Sequence, residues 1–229
     1  MCENSSRPTA IVLSHGVTSI GDHAFEGFTS LVSIILSEGI TTIGYSAFEG
    51  CTSLVSVIIP DGVTCIGGSV FYGCTSLVSV SIPGSLSSIE GYSFYECTSL
   101  TSVTLREGIA SIGFSAFYGC SSLASIKLPE GLTFLGDSVF ENCTSLSSVT
   151  SPRSISSIGY RTFCGCTKLS EVICYATFPP QIMMVDGFNE NPSFDRGGTL
   201  YVPERCVDVY KASDWGKVFD EVLSLPASR

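Results

Sequence analysis

The chain repeats itself every 23 residues, seven times, with no insertion or deletion between copies. Seven phenylalanines mark the step: Phe25, Phe48, Phe71, Phe94, Phe117, Phe140 and Phe163. A fixed period of this length implies supersecondary units that stack, each burying its apolar face against the next, rather than a closed globule. It also bears on function, because a stack of equal coils presents a wide surface more readily than a deep catalytic cleft.

Within one unit two local patterns alternate. Gly39 to Asp61 reads GITTIGYSAFEGCTSLVSVIIPD, with apolar residues at Ile40, Ile43, Ala47, Phe48, Cys51, Leu54, Val57 and Ile59. The segment Leu54 to Ile59 ends in in–out–in alternation, the mark of a short strand. Pro60, Pro83, Pro129 and Pro152 then end the strands, since proline supplies no ladder donor. The stretch I-G-x-x-A-F-x-G-C has room for about one turn of helix or 3₁₀ and reads as a tight convex return. Thr52, Ser53 and their counterparts are expected to bond the backbone of the turn into the next strand. In-register parallel strands spaced about 4.8 Å would make seven coils roughly 35 Å long.

Composition agrees with a core-forming body. Charged residues are 14% and hydrophobic ones 44%, which argues against disorder. The formal charge is −10 and the basic residues are scattered, so nucleic acid and anionic membrane surfaces are excluded as partners on charge grounds. No stretch approaches the ~20 apolar residues of a spanning helix. Met1-Cys2-Glu3-Asn4-Ser5-Ser6 carries no apolar signal core, which fits an intracellular protein or a secreted one whose signal has been removed.

The unit I-G-x-x-A-F-x-G-C-x-x-L-x-x-[IV]-x-[IL]-P resembles the BspA-like, or Treponema-type, leucine-rich repeat family. The resemblance covers residues 16 to about 176, or from residue 11 if Ile11-Val12-Leu13 is a truncated first strand. Thr199-Leu200-Tyr201-Val202-Pro203, Val207, Tyr210-Lys211, Trp215 and Phe219 resemble that family's closing module. The fold class expected is an α/β-type repeat protein, a right-handed leucine-rich repeat solenoid of seven coils with a parallel sheet on one face. Residues 1–176 would be the solenoid, with regular repeats over 16–176. Residues 177–229 would be a C-terminal cap of loop, strand and an amphipathic helix from about Glu204. The kinship further implies a non-enzymatic, adhesin-like protein at the cell surface or secreted, binding host or neighbouring-cell proteins or glycans. The alternatives are a structural spacer or an intracellular interaction scaffold in the cytoplasm.

Departures from the repeat carry the remaining information. Cys51, Cys74, Cys97, Cys120, Cys143 and Cys166 share one column and read as buried free thiols, with disulfide or metal as lesser alternatives. In unit six Ser151 stands where Ile59, Ile82 and Leu128 fill the core, and Arg153 follows, which marks either local tolerance or a docking point for the terminal segment. The outward strand positions form the candidate recognition face: Ser33, Ser56, Ser79, Ser102, Ser125, Ser148 and Glu171 in one column, Ile35, Ile58, Ser81, Thr104, Lys127, Thr150 and Ile173 in the other. A second candidate is Tyr72, Tyr95 and Tyr118 in one turn column, with Tyr92 nearby, read either as contact residues or as a cover over the coil edges.

No catalytic, metal or cofactor motif appears. His15 and His23 stand outside any motif, the serines recur at repeat positions, and Asp186 to Pro192 lacks the order of a calcium loop.

Overall fold

The computed structural model describes residues 8–183, 194–195 and 197–226. It is a right-handed parallel β-solenoid of about nine turns. The first sheet face carries the strands Ala10–Val12, Ser33–Ile35, Ser56–Ile58, Ser79–Ile82, Ser102–Leu105, Ser125–Lys127, Ser148–Ser151, Glu171–Cys174, Thr199–Val202 and Glu221–Ser224. Pairing is parallel and in register at the 23-residue step, for instance Val80 with Val103 and Val149 with Val172. Val57, Val80, Ile126 and Val149 point inward and are buried, while the flanking serines face out.

A second sheet was not expected. Two-residue strands such as Thr42–Ile43, Ser111–Ile112 and Ser157–Ile158 pair coil to coil before the glycine of I-G-x-x-A-F. The return that follows is not helical. Ala24, Glu26 and Phe28 donate three residues back, to Gly21, His23 and Phe25, as in successive β-turns. Their neighbours His23, Phe25 and Gly27 donate instead to Tyr45, Ala47 and Glu49 of the next coil. No helix fits this alternation, because half the amides are committed between coils. The threonine hydroxyls also differ from expectation: Thr75 and Thr98 reach the carbonyls of Thr52 and Thr75 one coil back, not their own turn.

Close approach explains one glycine column. A Cβ on Gly44, Gly67, Gly113, Gly136 or Gly159 would lie 2.4–2.7 Å from the backbone of the preceding coil. Unit four has Glu90 there, and at that coil the second sheet is interrupted: Cys65–Ile66 and Ser88–Ile89 belong to separate sheets. A small gap lined by Ile66, Val70, Ile82, Leu86 and Phe94 lies beside Glu90. The first sheet is interrupted one coil later, between Ser102–Leu105 and Ser125–Lys127. Val103 and Leu105 are correspondingly only half-buried.

The core is a set of ladders. Neighbouring phenylalanine rings from Phe25 to Phe163 stack with centroids 5.0–5.5 Å apart. Each column thiol lies 3.0–3.2 Å from the carbonyl of the phenylalanine in the coil before, as Cys74 to Phe48 and Cys166 to Phe140. The S–H thus donates to a carbonyl that would otherwise carry a single bond. Burial pushes the thiols of Cys74, Cys97, Cys120, Cys143 and Cys166 up, to about 12 for Cys166, because ionisation would place charge in an apolar interior.

The strand pairing continues past the regular units. Thr199–Val202 pairs with Glu171–Cys174 although 28 positions separate Glu171 from Thr199, and Glu221–Ser224 pairs with it in turn. Between these two strands the chain forms a 3₁₀ turn at Glu204–Cys206, a five-residue helix at Val207–Lys211 and a second 3₁₀ turn at Trp215–Lys217. The expected helix is therefore short and breaks at Ala212–Ser213. Tyr210 Oη bonds the carbonyls of Ala176 and Phe178, and Trp215 Nε1 donates to Pro180 at 2.9 Å. The segment Asp186 to Pro192 lies outside the described residues.

Candidate functional site

The first sheet brings the expected recognition residues together. Ser33, Ser56, Ser79 and Ser102 are successive register partners, as are Ser125, Ser148 and Glu171. Ile58 partners Ser81 and Ser81 partners Thr104, and Lys127, Thr150 and Ile173 follow in the same way. The sheet interruption after Ser102–Leu105 divides this surface into two halves.

The halves differ in chemistry. The N-terminal half is aliphatic: Ile35 and Ile58 are 61% and 80% exposed, joined by Val12, Val32, Val55 and Val78. The C-terminal half is polar. A groove there is lined by Lys127, Glu130, Thr150, Ser151, Pro152 and Tyr175, so Glu130 and Tyr175 join the face although their columns gave no signal. Ser151 is buried and its hydroxyl bonds the Ile173 carbonyl, which accounts for a polar residue at a core position.

The tyrosine column is a closed stack. Tyr72, Tyr95 and Tyr118 lie 4.6–4.7 Å apart within 5° of parallel, so the ring faces of Tyr95 are occupied by its neighbours. Tyr118 Oη accepts from Asn142 Nδ2, and Tyr92 meets Tyr95 and Phe114 edge-on. Such a stack leaves no free ring face at Tyr95. Desolvation, and then the neighbouring phenols, raise the Tyr95 hydroxyl.

One backbone feature escaped sequence reasoning. His23, Ser46, Ser69, Tyr92, Ser115, Ser138 and Arg161 form a single column two residues before the phenylalanine, and all have φ between 51° and 59°. Of these only His23 belongs to a residue type enriched in the left-handed region; Ser, Tyr and Arg carry no such signal. Arg161 uses it to place its guanidinium on the buried Glu141 carboxylate, and that bond raises the guanidinium further.

Catalytic geometry is sparse. His23 Nδ1 and Glu26 Oε2 are 2.7 Å apart on the exposed turn. Among the described residues no group of three His, Cys, Asp or Glu is placed to hold a metal ion, and no helix is long and apolar enough to cross a membrane.

The sequence model of the BspA type leucine rich repeat region matches residues 2–109 and 87–182, in six copies. The chain belongs to that family. Among solved structures it is similar to a leucine-rich repeat protein from Bacteroides ovatus, at 26% identity and a TM-score of 0.65 over 95% of this chain. This chain spans 54% of that protein's length. The T. pallidum leucine-rich repeat protein is similar in fold, with 23% identity and a TM-score of 0.52 over 94% of this chain and 86% of that one. No curated protein matches.

Proposed function

We propose that this BspA-type protein is a non-enzymatic interaction module, displayed on a cell surface or secreted, that binds a host or neighbouring-cell protein or glycan through its first sheet. One observation carries the reading: the outward column Ile35, Ile58, Ser81, Thr104, Lys127, Thr150 and Ile173 changes chemistry from coil to coil, while the column beside it is serine until Glu171 and the inward columns of phenylalanine, thiol and aliphatic residues are nearly constant. Lys127 and Glu171 bring opposite charges onto two columns that are otherwise neutral, which folding alone does not require. The acidic chain favours a neutral or basic partner. Residues 177–229 would serve as its cap, closing the solenoid carried by 1–176.

The test is a screen of the intact protein against immobilised matrix proteins and a glycan array, followed by Lys127→Glu and Ile173→Ser. Both variants should lose binding by tenfold or more, about 1.4 kcal/mol, at unchanged melting temperature. Binding that ignores these substitutions would remove the sheet face from the reading. An intracellular scaffold is the second reading, supported by the described cysteines being free thiols, which suits a reducing compartment. Fractionation of the source cells distinguishes the two.

A further inference from the structure

The N-terminal half of the first sheet face has its own chemistry. Val12, Ile35 and Ile58 form one row along the solenoid axis, and Val32, Val55 and Val78 form a second. All six are more than 40% exposed. Between the rows run Ser33, Ser56 and Ser79, whose side chains are shorter than the valines and isoleucines. Val32 and Val55 stand immediately before the strands Ser33–Ile35 and Ser56–Ile58, three residues from Ile35 and Ile58.

Two quantities identify what would cover this surface. The exposed parts of the six side chains amount to about 500–600 Å², at the upper limit for the largest apolar patch of a soluble monomer. With the serines between them, the face approaches the ~800 Å² that each partner contributes to a standard stable interface. The second quantity is charge. The chain carries −10, yet the outward positions from Ala10 to Thr104 contain no ionisable side chain. Acidic groups begin only at the turns beyond the strands, with Glu38 and Asp61. Two copies that meet on this face therefore bring no like charges into direct contact.

From this we infer that the protein forms a homodimer through the aliphatic half of its first sheet, two copies packing face to face across a two-fold axis. The valine and isoleucine rows of one copy pack on the serine row of the other, at the separation usual for stacked sheets, about 10 Å. The contact is isologous, so it closes at two copies and does not propagate. It leaves Lys127, Thr150, Glu171 and Ile173 free on each protomer, so a dimer displays two copies of the polar half. The inference stands independently of any outside partner, since it uses none of the residues tested for partner binding.

Sedimentation velocity of the intact chain between about 1 and 100 µM, roughly 8 to 5.5 kcal/mol of association free energy, tests it. A monomer–dimer equilibrium is expected, and it should tighten with added salt, because screening reduces repulsion between the acidic rims. Ile35→Lys with Ile58→Glu should weaken association at least 100-fold while Lys127→Glu leaves it unchanged. Should the charged pair perturb folding, Ile35→Ser with Ile58→Ser, which copies Ser81 of the next coil, gives the same reading at retained melting temperature. A chain monomeric throughout, a dimer that survives the folded double variants, or association that weakens with salt would each overturn the proposal.

Discussion

The two ends of the stack treat the same core differently. At the C-terminal end the phenylalanine ladder runs from Phe163 onto Phe194 at 4.8 Å and then against Trp215 and Phe219. Trp215, Tyr210 and Val218 are buried there, and two polar atoms, Tyr210 Oη and Trp215 Nε1, satisfy carbonyls of the last coil. At the N-terminal end Ile11, Leu13, Val17, Phe25 and Phe28 are only partly buried, and Phe28 occupies the column that holds a thiol in the six later coils. The comparison shows how a ladder of equal rungs is anchored. Interior coils supply one another's contacts, whereas an end must be met by groups that lie off the repeat.

The largest test of this contrast is removal of residues 199–229. It strips the last two strands and the aromatic cover, and the expected product aggregates; a soluble truncation that melts cooperatively would remove the capping role. Next comes Phe117→Ala against Phe25→Ala. The first should lose about 3–5 kcal/mol by denaturant unfolding and the second less than half of that, because Phe117 is fully buried and stacked on both faces, whereas Phe25 is partly buried and among the described residues stacks on Phe48 alone. Equal losses would mean that the N-terminal coil is as tightly held as the middle.

Alkaline titration tests the interior from another side. Unfolded, the thiols of Cys74, Cys97, Cys120, Cys143 and Cys166 ionise near 9.0, while the folded protein holds the proton higher, to about 12 at Cys166. Across that window the folded state binds more protons, so stability is full below pH 9 and declines as pH rises through it. Each thiol contributes up to about 1.4 kcal/mol per pH unit, and melting curves from pH 8 to 10.5 should show a fall that Cys97→Ala and Cys120→Ala make shallower. The smallest effect expected is at Glu96, which adopts φ 57° in a column where Gly27, Gly50, Gly73, Gly119 and Gly165 also have positive φ. Glu96→Gly should stabilise by about 1 kcal/mol by relieving that conformation.

Much of this architecture was legible in the chain. Identical columns forced identical environments, so the coil, the inward strand residues, the phenylalanine stack and the buried thiols follow from the period. The second sheet was not legible, because two residues such as Thr42–Ile43 are too few to show alternation. The strands Thr199–Val202 and Glu221–Ser224 join the sheet at steps of 28 and 22 residues, where a search for the period finds nothing. On the recognition face, sequence gave the columns but not the sheet interruption that divides them. Nor could it show Glu130 and Tyr175 entering the polar groove, since that depends on how adjacent turns fold over the strand ends.

The two interruptions have a mechanical consequence. They fall one coil apart and on different faces, near Glu90 and after Leu105, while the phenylalanine rings and the turn-side hydrogen bonds run through both without a gap. A rod stitched continuously along one edge and cut on the other two has a directional stiffness. Across both interruptions the coils are held to one another by the turn edge, where the phenylalanine rings and the stack of Tyr72, Tyr95 and Tyr118 keep their spacing, so the middle coils have the fewest strand-to-strand bonds to resist bending.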